Sequence, residues 1–159
     1  MKFRVGLGFD LHRLGPASHL ILGGVQIPHT KGLIGHSDGD VLCHAIVDAL
    51  LGAAGLGNIG QLFPDTDARL KGMSSLKFLT EAVNLVWQHG YQIENIDTNI
   101  LAEKPKLLPY FPAMRETLSA AAGIPIEKIS VKAKTMEGVG EIGTEEAIAA
   151  QAVALLSTE

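Results

Sequence analysis

Cysteine and long apolar runs are scarce in this sequence, and both shortages limit where the protein can work. Cys43 is the single cysteine among 159 residues, so no disulfide can form within the chain, which favours a reducing compartment. No apolar run approaches the ~20 residues that a membrane-spanning helix needs. The first residues, MKFRVGLGFD, carry an acid too early for a signal peptide and lack a small-residue cleavage site. We therefore expect a cytoplasmic protein that does not enter a membrane.

An excess of basic charge is also lacking. Lys and Arg number 13 against 17 Asp and Glu, which gives a net charge of −4 without any block of like charges. A non-specific nucleic-acid binder usually presents a basic face, so we expect no nucleic-acid partner. If this acidic protein handles phosphates, the positive charge must come from metal ions, helix N-termini or a few lysines.

What is present is a pattern of strands and helices typical of one α+β domain over residues 1–159. The length suits a single domain, and no linker or repeat divides the chain. Apolar periodicity predicts the following elements: strands at 2–9, 92–102, 129–133 and 147–156, a hairpin around Gly23 and Gly24, helices at 38–55, 74–90 and 112–122, and loops at 57–73 and 135–145. This order predicts helices on one face of a mixed sheet.

Several details of this prediction can be tested against a structure. Asp38 is expected to cap the first helix. The second helix is expected to bury the following side chains: Leu76, Leu79, Val83, Val86 and Trp87. The last strand has few polar positions, so its second face is also expected to meet protein, as in a homo-oligomer. The loop 57–73 is expected to close over a ligand.

Asp10 and His12 stand at strand spacing, so they project from the same side of the chain. Such a pair alone is more often solvated or capping. In GHSDGDVLCHAIVDALLGA, however, Asp40, His44 and Asp48 recur every four residues along one helical stripe. His44 alone suggests a surface histidine paired with Asp40 or Asp48. Together, Asp10, His12 and His44 would offer one oxygen and two nitrogens with a fourth position open, as in catalytic zinc sites.

His36 and Ser37 lie just before the predicted first helix. An imidazole, a hydroxyl and the N–H groups of a helix start make an anion site. Ordinary capping by Ser37 and Asp38 is the alternative interpretation.

Five motifs now combine: GFDLHRLG, GHSDGDVLCHAIVDALLGA, LFPDTD, AEKPKLLP and VKAKTMEGVG. In this order and spacing they closely resemble the 2-C-methyl-D-erythritol 2,4-cyclodiphosphate synthases of the non-mevalonate isoprenoid pathway, over essentially the whole chain. The resemblance implies an α+β domain related to the ferredoxin-like sandwich. It also implies a homotrimer with active sites between neighbouring subunits.

The resemblance further implies a phosphorus–oxygen lyase. Its substrate would be 4-diphosphocytidyl-2-C-methyl-D-erythritol 2-phosphate, whose 2-phosphate attacks the β-phosphorus and releases CMP. The product would be 2-C-methyl-D-erythritol 2,4-cyclodiphosphate. Because nucleophile and electrophile belong to one molecule, catalysis would depend on positioning and charge neutralisation.

Residue roles carry over from the matching motifs. Asp10, His12 and His44 would hold Zn²⁺, Glu137 would meet a second ion, Mg²⁺ or Mn²⁺, and His36 and Thr135 would stabilise the transition state. Substrate contacts would come from the following residues: Ser37, Asn58, Ile59, Gly60, Phe63, Asp65, Ala102, Pro105, Lys106, Leu107, Leu108 and Lys134. Among these, Ser37 would bind phosphate, Asp65 the methylerythritol hydroxyls, and the segment 102–108 the cytosine. Without the resemblance, Glu137 suggests a turn residue, Lys106 a solvated charge and Asp65 an Asx turn.

The sequence also departs from the family pattern. Asn58 stands where many members have an aspartate. Glu141 and Thr144 stand where some members have a phenylalanine and an arginine at the trimer axis, which argues against a central isoprenoid diphosphate. Two other functions remain open at this point: a zinc phosphoesterase acting on a nucleotide, and a non-catalytic trimer that senses nucleotide or isoprenoid diphosphate.

Overall fold

The computed structural model of the chain describes residues 1–17 and 19–158. Its strands are β1 (Lys2–Gly15), β2 (Leu20–Leu22), β3 (Val25–Ile27), β4 (Gly32–Ile34), β5 (Gln92–Leu101), β6 (Ile129–Lys134) and β7 (Ala147–Thr158). Its α-helices are α1 (Val41–Ala54), α2 (Ile59–Leu62), α3 (Ser75–Gln88), α4 (Phe111–Ala122) and α5 (Gly140–Gly143). No helix in these described ranges is both long and apolar enough to cross a membrane.

Five strands form one mixed sheet in the order β4-β1-β7-β5-β6, and β2 and β3 pair as a separate hairpin. Only β5 and β6 run parallel within the large sheet. Helix α1 packs on β1 and β7, α3 packs on α1, and α4 packs on β6. The expected α+β class with a mixed sheet is therefore confirmed.

Two glycines of β1 bring helix α1 unusually close to the sheet. A Cβ atom at Gly6 would lie 1.8 Å from the carbonyl oxygen of Ala49, and one at Gly8 would lie 1.8 Å from that of Ala45. Any side chain at either position would therefore force the helix away. Because alternate residues of a strand share a face, Asp10 continues the same helix-facing side of β1.

The opposite face of β1 carries the apolar alternation that predicted this strand. Its side chains are 48–70% exposed in the single chain: Phe3, Val5, Leu7, Phe9 and Leu11. Val153 of the paired strand β7 is exposed as well. The alternation thus predicted a strand correctly, but its apolar residues lie outside the core of the chain. We call these five side chains of β1 the outer apolar strip.

Two predicted boundaries are wrong. Strand β1 does not end near Phe9, because its pairing with β7 continues to Arg13 and β4 adds pairing as far as Gly15. Asp10 and His12 consequently lie inside the strand. Helix α1 begins at Val41 with Asp40 as its cap, and not at Asp38.

Other departures are smaller. Trp87 is 41% exposed, because it lies near the end of α3 and its ring packs on the turn at Gly123 instead of on the core. The predicted loops 57–73 and 135–145 contain the short helices α2 and α5. The hairpin around Gly23 and Gly24 forms as predicted.

Candidate active site

Asp10, His12 and His44 converge on one point between β1 and α1. Asp10 Oδ2 lies 2.8 Å from His44 Nδ1 and 3.0 Å from His12 Nε2, and the two ring nitrogens are 3.3 Å apart. Ligands at 2.0–2.2 Å from a tetrahedral zinc ion stand about 3.3 Å from one another. The three atoms therefore form one face of a tetrahedron of the right size for a small divalent cation.

Hydrogen bonds on the outer sides of the rings support this interpretation. His12 Nδ1 lies 2.8 Å from the carbonyl oxygen of Ile34, which only accepts, so Nδ1 carries the proton. When His12 is neutral, the form that can bind a metal ion, the lone pair of Nε2 therefore faces Asp10; when the ring carries a second proton, Nε2 donates to Asp10. On the other ring, His44 Nε2 lies 2.8 Å from the hydroxyl of Ser75 and 3.1 Å from that of Ser37.

The electrostatics keep Asp10 ionised. Burial disfavours its charge, but hydrogen bonds from His12 and His44 outweigh this effect and hold the pKa of Asp10 far below its ordinary value. The hydrogen bond to Asp10 in turn raises the pKa of His12 above 6.5. A carboxylate and two imidazoles fit Zn²⁺ or a similar divalent ion, which would replace the protons that otherwise hold these groups together.

The other acids of the predicted helical stripe do not pair with His44. Asp40 accepts the backbone N–H groups of Gly23 and Gly24 in the hairpin, in addition to capping α1. Asp48 accepts the N–H of Ile59 at 2.7 Å. The interpretation of His44 as a surface histidine paired with these acids is therefore wrong, since it is 8% exposed and faces Asp10.

A cavity of about 410 Å³ opens above the three convergent side chains. It brings together the following predicted site residues: Asp10, His12, His36, Ser37, His44, Ile59, Gly60, Phe63 and Asp65. Phe63 and Phe78 stack with ring centroids 4.5 Å apart and form an apolar wall. The cavity thus combines a polar floor with the FPDTD segment as one side.

Backbone hydrogen bonds tie the segment 57–73 to the residues before α1. His36 Nε2 donates to the carbonyl oxygen of Asp67 at 3.0 Å, and the carbonyl oxygen of His36 accepts from Gly72 at 2.8 Å. Asp38 N–H donates to Met73 at 3.1 Å. Asn58 does not line the cavity; it caps α2 and exchanges hydrogen bonds with Gln61.

The remaining predicted residues form a second group away from this cavity: Ala102, Pro105, Lys106, Leu107, Leu108, Lys134, Thr135 and Glu137. Sheet register separates the groups, because Asp10 pairs with Ala150, Ala150 with Ile100, and Ile100 with Ala133. Three strand spacings amount to about 14 Å. Within one chain, the structure therefore does not bring Thr135 or Glu137 to the three convergent side chains.

The second group is itself held together by hydrogen bonds. Ala102 N–H donates to the carbonyl of Lys134 at 3.0 Å, and the Thr135 hydroxyl donates to Glu137 at 3.0 Å. Glu103 accepts the N–H of Met136 at 3.1 Å. This contact joins the AEKPKLLP segment to the turn that carries Glu137, and the sequence reasoning did not include Glu103 in the site.

Sequence reasoning also missed Ser75 and a side-chain role for Asp38 beyond capping. The two residues lie 37 positions apart, and no spacing in the sequence relates them. Their only sequence signal was a serine at a predicted helix start, which is an ordinary feature of helix N-termini.

Comparison with known proteins gives concordant results. The YgbB family matches residues 3–157. The chain is 54% identical over 156 residues to the 2-C-methyl-D-erythritol 2,4-cyclodiphosphate synthase of Nitrosococcus oceani. This alignment covers 98% of this chain and 99% of that protein. The bifunctional IspDF from Campylobacter jejuni superposes with a TM-score of 0.96 at 42% identity, over 99% of this chain and 43% of that one. IspF of Plasmodium falciparum, solved as a CDP complex, gives a TM-score of 0.86 at 37% identity, over 99% and 97% of the two chains.

These similarities extend over nearly all of this chain, and for two of the three relatives over nearly all of the relative as well. The resemblance inferred from the five motifs is confirmed by them. The chain therefore belongs to the YgbB family, together with relatives named 2-C-methyl-D-erythritol 2,4-cyclodiphosphate synthase.

Proposed function

We propose that this protein converts 4-diphosphocytidyl-2-C-methyl-D-erythritol 2-phosphate to 2-C-methyl-D-erythritol 2,4-cyclodiphosphate and CMP, as a phosphorus–oxygen lyase of isoprenoid precursor synthesis in the cytoplasm. The observation that carries the proposal is the convergence of Asp10, His12 and His44 at the floor of a cavity, in a chain of this family. One of its structural relatives is described as a CDP complex, which supports a cytidine nucleotide as the ligand.

In the proposed reaction, an oxygen of the 2-phosphate forms a bond to the β-phosphorus of the diphosphate. The bond from that phosphorus to the bridging oxygen breaks, and CMP leaves with the electron pair. No water is consumed. The work of the protein is to fold the substrate so that the two reacting groups meet.

The residues around the cavity suit this work. Asp10, His12 and His44 would hold a Zn²⁺ ion, which when bound would polarise and orient phosphate oxygens. His36 and Ser37 offer hydrogen-bond donors beside the start of α1, and Asp65 faces the same space from the FPDTD segment. Phe63 and Ile59 supply apolar contacts for the carbon skeleton.

The second group of residues supports a homotrimer with sites between subunits. The cytosine segment 102–108, Thr135 and Glu137 would complete the cavity of a neighbouring copy, because they lie too far from it within one chain. Glu137 would there meet a second ion, Mg²⁺ or Mn²⁺. The outer apolar strip of β1 offers a surface that such an assembly would bury.

Phosphorus NMR of the reaction products tests the proposal directly. We expect a cyclic diphosphate and one CMP for each substrate consumed, from protein that contains zinc. An open-chain phosphate would instead identify a phosphoesterase, and binding without turnover would identify a nucleotide sensor. Either result would contradict the proposal.

The His44→Ala variant separates the site from the assembly. Zinc content and turnover should both be lost, while the proposed trimer should persist in analytical ultracentrifugation, because His44 lies inside the subunit and faces β1. Turnover by this variant without bound zinc would show that the residues are assigned wrongly.

A further inference from the structure

Behind His44, on the side away from Asp10, two more side chains continue the hydrogen bonding. His44 Nε2 lies 2.8 Å from the Ser75 hydroxyl, and that hydroxyl donates to Asp38 Oδ1. Asp38 also accepts the backbone N–H of Ser75 through Oδ2 at 3.0 Å. Ser75 is fully buried, so water does not compete for these bonds.

Asp38 sets the direction of donation along this chain of groups. An ionised carboxylate only accepts hydrogen bonds, so the single hydroxyl proton of Ser75 is committed to Asp38. Ser75 Oγ then offers His44 only lone pairs, and Nε2 must carry the N–H. A neutral His44 in this form has its lone pair at Nδ1, the atom that faces Asp10 and His12.

We propose that Ser75 and Asp38 are positioning residues, which hold His44 in the tautomer and ring orientation needed to bind a divalent cation. Outer partners of this kind are common at metal sites, and their loss lowers metal affinity or activity about 10- to 100-fold. The inference rests on the proposed metal site of Asp10, His12 and His44. It does not depend on which reaction takes place there.

Ser37 is the other hydroxyl near the same nitrogen, and the structure favours Ser75 over it. Ser37 Oγ lies farther away, at 3.1 Å, and it accepts the backbone N–H of Gly39 at 3.4 Å. Ser37 Oγ also lies 3.4 Å from Ser75 Oγ, but none of its described hydrogen bonds is made directly to a carboxylate, so its proton can be donated either to Ser75 or to His44. Ser37 also lines the cavity, where a ligand can draw its hydroxyl away from His44.

Zinc affinity of the purified full chain, measured by competition with a chelating indicator, is the first test. Ser75→Ala should weaken zinc binding about 10- to 100-fold. Ser74→Ala is the matched control. It makes the same substitution at the preceding residue, whose side chain makes no capping hydrogen bond. Its affinity should stay within about twofold of the wild-type value, well below the loss expected for an outer partner.

The possible results distinguish a failure of this inference from a failure of the proposed metal site on which it rests. Equal zinc affinity of the Ser75→Ala variant and the wild type would overturn the inference and leave the metal site standing. A wild-type protein that binds no zinc would overturn both. Loss of affinity in Ser74→Ala as large as in Ser75→Ala would mean that the start of α3 matters only for folding, which also contradicts the inference.

Imidazole nitrogen NMR of the metal-free protein, at a pH where histidines are neutral, gives a readout that a purely structural role would not change. In the wild type, His44 should carry its proton mainly on Nε2. In Ser75→Ala that nitrogen loses its buried acceptor, so the proton should move toward Nδ1, where it can donate to Asp10. An unchanged tautomer in the variant would contradict the proposal.

A double-mutant cycle tests whether Asp38 acts through Ser75. In Asp38→Asn the amide can donate to Ser75 Oγ, which frees the hydroxyl to donate to His44 Nε2 and favours the wrong tautomer. Zinc affinity should therefore fall in the Ser75 background and show no further fall in the Ser75→Ala background. Equal losses in both backgrounds would show that Asp38 acts by another route and would overturn this part of the proposal.

Discussion

The close approach of α1 to β1 allows one prediction to be worked out in numbers. In a Gly8→Ala variant the new Cβ would stand 1.8 Å from the carbonyl oxygen of Ala45, where real Cβ contacts are almost never shorter than 3.0 Å. Helix and strand would have to separate by about 1.2 Å. Metal–ligand distances tolerate deviations of only about 0.2 Å, and overpacking alone costs about 1–3 kcal/mol.

Gly8→Ala should therefore lower the free energy of unfolding of the metal-free chain by at least about 1–3 kcal/mol, and it should abolish stoichiometric zinc binding. Gly52→Ala is the matched control in α1, because a Cβ there meets nothing within 4 Å. Alanine in a helix interior is favoured over glycine by about 0.8–1 kcal/mol, so this variant should gain stability and keep its zinc.

The assays are urea denaturation of chelator-treated protein and zinc content after dialysis. A Gly8→Ala protein with the wild-type unfolding midpoint and full zinc content would refute the claim that a bare backbone at this position sets the distance between the metal ligands. A Gly52→Ala protein that loses stability would show that alanine disturbs α1 for reasons unrelated to packing on β1.

Three further predictions concern other parts of the chain. Asp40→Asn should lower the free energy of unfolding by about 1–3 kcal/mol in denaturant titrations, because the amide nitrogen of the new side chain cannot accept the half-buried N–H of Gly24; an unchanged midpoint would contradict this. Leu7→Glu on the outer apolar strip should convert the assembly to folded single chains in analytical ultracentrifugation, and an unchanged mass would contradict the proposed interface. In metal-free protein the hydrogen bond to Asp10 holds the pKa of His12 above 6.5, so its stabilising effect is complete below pH 6.5 and is lost as the pH rises through the raised pKa. In the His12→Gln variant, the free energy of unfolding measured at pH values on either side of 6.5 should not show this decrease. A wild-type free energy of unfolding that increases with pH over this range would contradict the prediction.

Local patterns were enough to predict most of the secondary structure and to suggest the three convergent side chains, which the family resemblance then favoured as a set. The two-residue spacing of Asp10 and His12 and the helical placement of His44 each follow from the geometry of one element. Helix α4 was predicted at 112–122 and spans Phe111–Ala122, and its end was predictable because Gly123 closes it in a left-handed turn.

What could not be predicted depends on contacts between distant segments. The apolar alternation of β1 indicates a strand without telling which face the chain itself covers, and here the glycines occupy the covered face. Asp38 can form hydrogen bonds with Ser75 only after α3 has packed beside α1. The separation of Thr135 from His44 follows from strand order, which periodicity alone does not determine.

The origin of the three convergent side chains has a consequence for metal selectivity. Two come from the middle of a paired strand and one from a buried helix, so the spacing of their Cα atoms cannot widen without breaking the sheet or moving α1. Mg²⁺ and Ca²⁺ prefer oxygen ligands, whereas this corner presents one oxygen and two nitrogens. Discrimination between ions at this point would therefore begin with the choice of ligand types and with the Cα spacing that the backbone sets.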